Sequence, residues 1–121
     1  MKRLLVPMAL LFAPLVALAD VSGTWTAKFE TQIGEQSYVY TFKVDGMNLT
    51  GTAKNSLSEQ PSAIMDGKVE GDTITFVENL NYQGMDLVIT YKGMIVSDDE
   101  IRFSRSVGEF ATEELVATRS K

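Results

Sequence analysis

Residues 37 to 44 read SYVYTFKV. Tyr38, Tyr40, Phe42 and Val44 fall on one side of an extended chain. Ser37, Thr41 and Lys43 fall on the other, where Val39 is the apolar exception. Side chains of a β-strand alternate between its two faces, so this stretch reads as a strand with one face in a core and one in water. Such a strand cannot stand alone. It needs partners that cover three aromatic rings.

The rest of the chain supplies them at intervals of about ten residues, the spacing of an all-β protein. A first strand is expected near 22 to 31, with Trp25, Ala27 and Phe29 together and Thr24, Thr26, Lys28 and Glu30 opposite. Ile33-Gly34-Glu35 turns it into the strand just described. Asp45-Gly46 leads to a third strand, NLTGTAK, with Leu49, Gly51 and Ala53 on one face. A polar loop at 55 to 62 precedes a fourth strand near 63 to 69. Glu70-Gly71 then turns into DTITFVE, with Ile74 and Phe76 inside. NLNYQGM, residues 79 to 85, reads as a second loop. The sixth strand, DLVITYKGMIV, is long and is expected to bend or bulge at Gly93. Ser97-Asp98-Asp99 leads to EIRFSRS, and a turn at Gly108 to the last strand, ATEELVATR.

Eight strands in sequence, each joined to the next by a short connection, predict an eight-stranded antiparallel up-and-down β-barrel. Eight is the number at which a closed sheet leaves room for packed side chains or one small ligand. Closure also removes both sheet edges. A two-sheet β-sandwich is the alternative.

The chain opens with MKRLLVPMALLFAPLVALA, in which Lys2 and Arg3 precede an apolar run that ends in Ala17-Leu18-Ala19. That is the layout of a secretory signal peptide, with cleavage expected after Ala19. The run is short for a membrane span, so no stable membrane anchor is expected. The expected organisation is therefore a signal peptide over 1–19 and a single β-barrel domain over 20–121, secreted or periplasmic. The full chain has a net charge of −5, and removing the leader takes away two basic residues and no acidic ones. An acidic surface repels phosphate backbones, so nucleic acid is not an expected partner.

The chain has no His and no Cys. Disulfides, thiol nucleophiles, a histidine base and soft metal sites are all excluded. Asp98-Asp99-Glu100 is the one dense acidic run, and it reads as a solvated turn. Glu113 and Glu114 are adjacent and face opposite sides of a strand, so they cannot share a reacting atom. The expectation is a protein that is not an enzyme and carries no cofactor.

Gly23-x-Trp25 on the first strand resembles the G-x-W start of lipocalin-like and other calycin barrels. SGTW followed by DGMNLTGTA, residues 45 to 53, resembles the avidin and streptavidin pattern. GDTI-x-F at 71 to 76 and AT-R at 117 to 119 are similar to pieces found in small secreted bacterial proteins. The resemblance implies a barrel with Trp25 near its closed end. Biotin binders line their pocket with several tryptophans, whereas Trp25 is alone, so biotin binding is not carried over.

Two readings of function follow. In the first, the barrel binds a small, mostly apolar ligand in its interior. Trp25, Tyr38, Tyr40, Phe42 and Tyr91 would line it, with Tyr82 and Arg105 at the mouth. Inward small residues, namely Ala27, Gly51, Ala53, Ala63, Gly67 and Gly93, either leave the space for it or let the walls approach. Each aromatic has a plain role beside this one: Trp25 as a plug that fills a tapering barrel, the tyrosines as core. Arg105 and Glu113 share the inward parity of their strands and can pair. That pair is structural, or Arg105 receives an anionic group of the ligand. In the second reading the barrel is solid and works as a protein-interaction module or as an inhibitor of a secreted enzyme. Small periplasmic metalloprotease inhibitors with eight-stranded barrels are similar in size and leader. They act through a segment ahead of the barrel, and here only Asp20-Val21-Ser22 precedes Gly23.

Overall fold

In a computed structural model, residues 20–109 and 111–120 of the protein are described, with Tyr82 described by its backbone alone. The expected leader, residues 1–19, lies outside the described residues. The strands are β1 (Gly23–Thr31), β2 (Gly34–Asp45), β3 (Asn48–Asn55), β4 (Ser62–Glu70), β5 (Thr73–Tyr82), β6 (Met85–Ser97), β7 (Glu100–Val107) and β8 (Ala111–Arg119). They close in chain order into one antiparallel barrel. The architecture is the up-and-down barrel, and the sandwich is set aside.

Alternation places the core. In β2, Gln36, Tyr38, Tyr40 and Phe42 are buried while Val39, Thr41 and Lys43 are exposed. Trp25, Ala27 and Phe29 of β1, Ile101, Phe103 and Arg105 of β7, and Leu115 and Ala117 of β8 follow the same rule. The centre of the barrel is a cluster of rings. Phe76 stacks on Tyr91 at 4.3 Å between centroids, and Tyr40, Phe42 and Phe103 pack around them at 5.5 to 6.2 Å.

Four details differ from the sequence reading. Residues 79 to 85 are not a loop. β5 and β6 run on through them, pairing Leu80 with Leu87, Asn81 with Asp86 and Tyr82 with Met85. Only Gln83 and Gly84 turn, both at positive φ, which suits a two-residue hairpin. The first turn is likewise earlier and tighter than expected, at Gln32-Ile33.

β4 changes face. Ile64 and Val69 are both buried although they are five residues apart, which a regular strand forbids. The β4–β5 register shifts between Met65 and Lys68, and Asp66 sits at φ 54°. The extra residue of this bulge resets the parity. Ala63, expected to face inward, is therefore exposed. Gly67 is needed for close approach, because a Cβ there would lie 2.1 Å from the Leu49 carbonyl oxygen.

β6 does not bend at Gly93, where its ladders to β5 and β7 are continuous. Its register shift lies between Ile95 and Ser97. Gly93 serves the core instead. A Cβ would come within 2.6 Å of two atoms of the Phe103 ring. The missing side chain thus lets an aromatic ring fill the interior.

One end of the barrel is sealed. Trp25 is fully buried, and its indole N–H donates to the Val21 carbonyl at 2.9 Å. The Arg119 guanidinium lies over the indole at 4.5 Å and donates to the carbonyls of Ser22 and Asp20, at 2.8 and 3.0 Å. Arg119 Nε reaches the Asp98 carbonyl at 2.7 Å. One side chain from the end of β8 thus fastens the segment ahead of β1 across the barrel floor. The opposite end carries the turns after β1, β3, β5 and β7, and it is open.

The joint between β1 and β8 is short. Among the described residues their paired positions are Trp25 with Arg119 and Thr26 with Thr118. Every other neighbouring pair of strands has at least four such positions.

Candidate binding cavity at the barrel mouth

The open end holds a cavity of about 240 Å³. Its walls are Leu80 of β5, Leu87 and Ile89 of β6, and Val107 and Ala111 of the β7–β8 hairpin. Thr31, Gln32, Ile33 and Met85 stand at the rim, and Arg105, Glu113 and Gln36 form the floor.

The floor is a polar network that the strands assemble by parity. Arg105 and Glu113 are directly paired positions of β7 and β8. Arg105 Nε donates to Glu113 Oε1 at 2.7 Å, and its Nη1 donates to the Tyr91 hydroxyl at 2.7 Å. Glu78 lies at 3.9 Å from the same guanidinium. Its carboxylate accepts the Tyr91 hydroxyl on Oε1 at 2.8 Å and the Tyr38 hydroxyl on Oε2 at 2.9 Å. Tyr40 joins through a 3.0 Å contact between its hydroxyl and that of Tyr91. The guanidinium also lies against the Phe29, Tyr38 and Tyr91 rings, 5.0 to 5.5 Å from their centroids. Cations stack favourably on ring faces, and the effect grows when water is excluded.

Burial dominates the protonation behaviour. It raises the Glu78 carboxyl above its ordinary range, opposed by the Tyr91 hydroxyl, the Arg105 charge and the Tyr38 hydroxyl. The Tyr38 phenol is raised to about 12 by burial first and then by the Glu78 charge. Burial pushes Tyr40 and Tyr91 well above the usual phenol value. A second polar chain flanks the floor. Asn55 Nδ2 donates to Gln36 Oε1 at 2.5 Å, and Gln36 Nε2 donates to Thr31 Oγ at 2.7 Å.

The residues expected to line a ligand site fall into two groups. Trp25, Tyr38, Tyr40, Phe42 and Tyr91 are buried in packed core and do not line the mouth cavity. Trp25 is at the sealed end. Arg105 does line the cavity, and the expected Arg105–Glu113 pair is present. Tyr82 ends β5 beside the turn at the mouth, and its side chain lies outside what is described. Access to Arg105 is narrow: it is 2% exposed, and two of its five N–H donors are held by Glu113 and Tyr91.

Glu78, Gln36 and Asn55 are buried and were not anticipated as site residues. Parity gave the signal: Glu78 follows Ile74 and Phe76 at intervals of two, and Gln36 precedes Tyr38 and Tyr40 in the same way. Among the described residues, no group of three or more acidic side chains is placed to hold a metal ion.

The chain matches no protein-family model, no curated protein and no solved structure. Its barrel is compatible with a calycin-like fold.

Proposed function

We propose that this protein is a secreted or periplasmic barrel that binds a small, mostly apolar molecule at its mouth rather than in its aromatic centre. One observation carries the reading: an apolar-walled cavity of about 240 Å³ at the open end, with Arg105, Glu113 and Gln36 at its floor. Binding sites commonly pair an apolar lining with a few fixed polar groups, and this cavity lies near the small end of their size range. It suits a single ring or a short chain. The signal-like start of the chain favours an extracytoplasmic setting, and the lack of His and Cys favours binding over catalysis.

Calorimetric titration with indole, a neutral single-molecule probe of suitable size, tests this. Indole is expected to bind the native protein. Ala111→Trp, which fills the cavity from its edge, is expected to abolish binding without lowering the melting temperature. Equal binding to the filled variant, or no binding to the native protein, would overturn the proposal.

A second reading has one observation in its favour. Met94 and Val96, two residues apart, are both exposed on the outer face of β6, and apolar side chains exposed together can mark protein contacts. The module would then act by this face. A partner would be expected to protect the outer-face amides of β6 from hydrogen exchange and leave the mouth unchanged.

A further inference from the structure

We infer that the cavity selects a ligand bearing a positively charged amine, and that Glu113 is the residue that receives it. The inference rests on the reading of the mouth as a binding cavity, and goes beyond it by naming the chemistry of the ligand head.

Two carboxylates share one guanidinium here: Glu113 at the floor of the cavity and Glu78 buried behind it. Arg105 sits 2.7 Å from Glu113 and 3.9 Å from Glu78. Among the described residues, no lysine and no second arginine lines the cavity. One positive charge therefore serves two negative ones, and the cluster holds a surplus negative charge inside the barrel. Burying an ion without a full counter-charge is costly.

The two carboxylates are not equally occupied. Both Glu78 oxygens accept a tyrosine hydroxyl. Glu113 has Oε1 on Arg105 and no partner for Oε2 among the described residues. Its side chain is 10% exposed, and it lines the cavity. A largely buried carboxylate with one oxygen lacking a donor, at the base of an apolar chamber, is a place for a donor to land.

A cation there meets both needs. An ammonium supplies the missing hydrogen bond and cancels the surplus charge, while Leu80, Leu87, Ile89 and Val107 cover an apolar body. A neutral alcohol supplies the bond alone. A carboxylate reaches the remaining N–H groups of Arg105, itself 2% exposed, only by coming up beside Glu113 with like charge. Charge-assisted hydrogen bonds are roughly twice as strong as neutral ones, so the amine is the favoured head.

The test compares three probes with the same phenyl body: 2-phenylethylamine, 2-phenylethanol and phenylacetate. Each is titrated calorimetrically into the purified protein at neutral pH. The amine is expected to bind at least tenfold more tightly than the alcohol, with phenylacetate weakest. Glu113→Gln is expected to reduce the amine to the affinity of the alcohol. Should that variant fail to fold, the ranking on the native protein decides the matter. Phenylacetate or the alcohol binding as tightly as the amine overturns the inference, as does an amine preference that survives Glu113→Gln. If indole binds and the amine does not, the cavity stands and the amine is wrong. If indole fails to bind, the underlying reading falls first.

Discussion

Arg105 and Glu113 face each other across the last hairpin at 2.7 Å, and the guanidinium is 2% exposed. The pair ties β7 to β8 on the inside of the barrel and forms part of the cavity floor. Its energetics follow from what remains when one partner is removed.

Arg105→Ala leaves Glu78 and Glu113 buried without their shared cation. Breaking a buried ion pair from one side costs about 3–5 kcal/mol. Since small domains have roughly 5–15 kcal/mol in all, the variant should be close to unfolding. Urea denaturation is the measurement. A loss under about 1 kcal/mol would mean that water already reaches the guanidinium.

Alkali should unfold the protein steeply. The folded state holds Tyr38, Tyr40 and Tyr91 neutral beyond the ordinary phenol value. Above about pH 10 the unfolded chain releases these protons and the folded chain keeps them, so stability is complete below that pH and falls as pH rises. The three tyrosines together give a slope of about 4 kcal/mol per pH unit, and Tyr38 ceases to contribute near pH 12. Phenolate absorbance should therefore appear together with unfolding. Phenolate formation by these side chains near pH 10 in a protein that stays folded would contradict the prediction.

Gly93→Ala places a methyl group where the Phe103 ring lies, 2.6 Å away. Overpacking of this kind costs about 1–3 kcal/mol. Phe103→Leu should be destabilising alone yet cost less in the Gly93→Ala background. A double-mutant cycle reads this coupling directly, and strict additivity of the two losses would refute it.

The short β1–β8 joint has a cause in the sequence. Continued register beyond Thr26–Thr118 would set Glu30 opposite Glu114, and both are exposed. Like charges directly opposed weaken a ladder. Glu114→Lys should lengthen it, slow amide exchange at residues 28 to 30, and raise the melting temperature by about 2–5 °C. Unchanged exchange would show that something other than this repulsion holds the strands apart.

Much of this was legible in the sequence because period-two alternation is a strong signal. Tyr38-x-Tyr40-x-Phe42 sets the face of β2, and the shared parity of Arg105 and Glu113 marks them as partners. Other features were hidden by residue type. The polar letters of NLNYQG suggested a loop, whereas pairing across Gln83-Gly84 keeps them in a ladder. Glu78 has inward parity, yet a lone carboxylate suggests the surface until Tyr38, Tyr91 and Arg105, from three other strands, gather round it. The bulge at Asp66 moves Ala63 outward through backbone geometry that its neighbours in sequence do not spell out.

The Trp25–Arg119 closure makes the molecule a cup and not a tube. If the mouth binds a ligand as proposed, guests enter and leave by the same doorway, and residence time becomes a property of the rim, set by Ile33, Met85 and the hairpin tips around them. Those tips are far from the joinery of the base. Such a vessel could change what it holds, and for how long, without being rebuilt from the bottom.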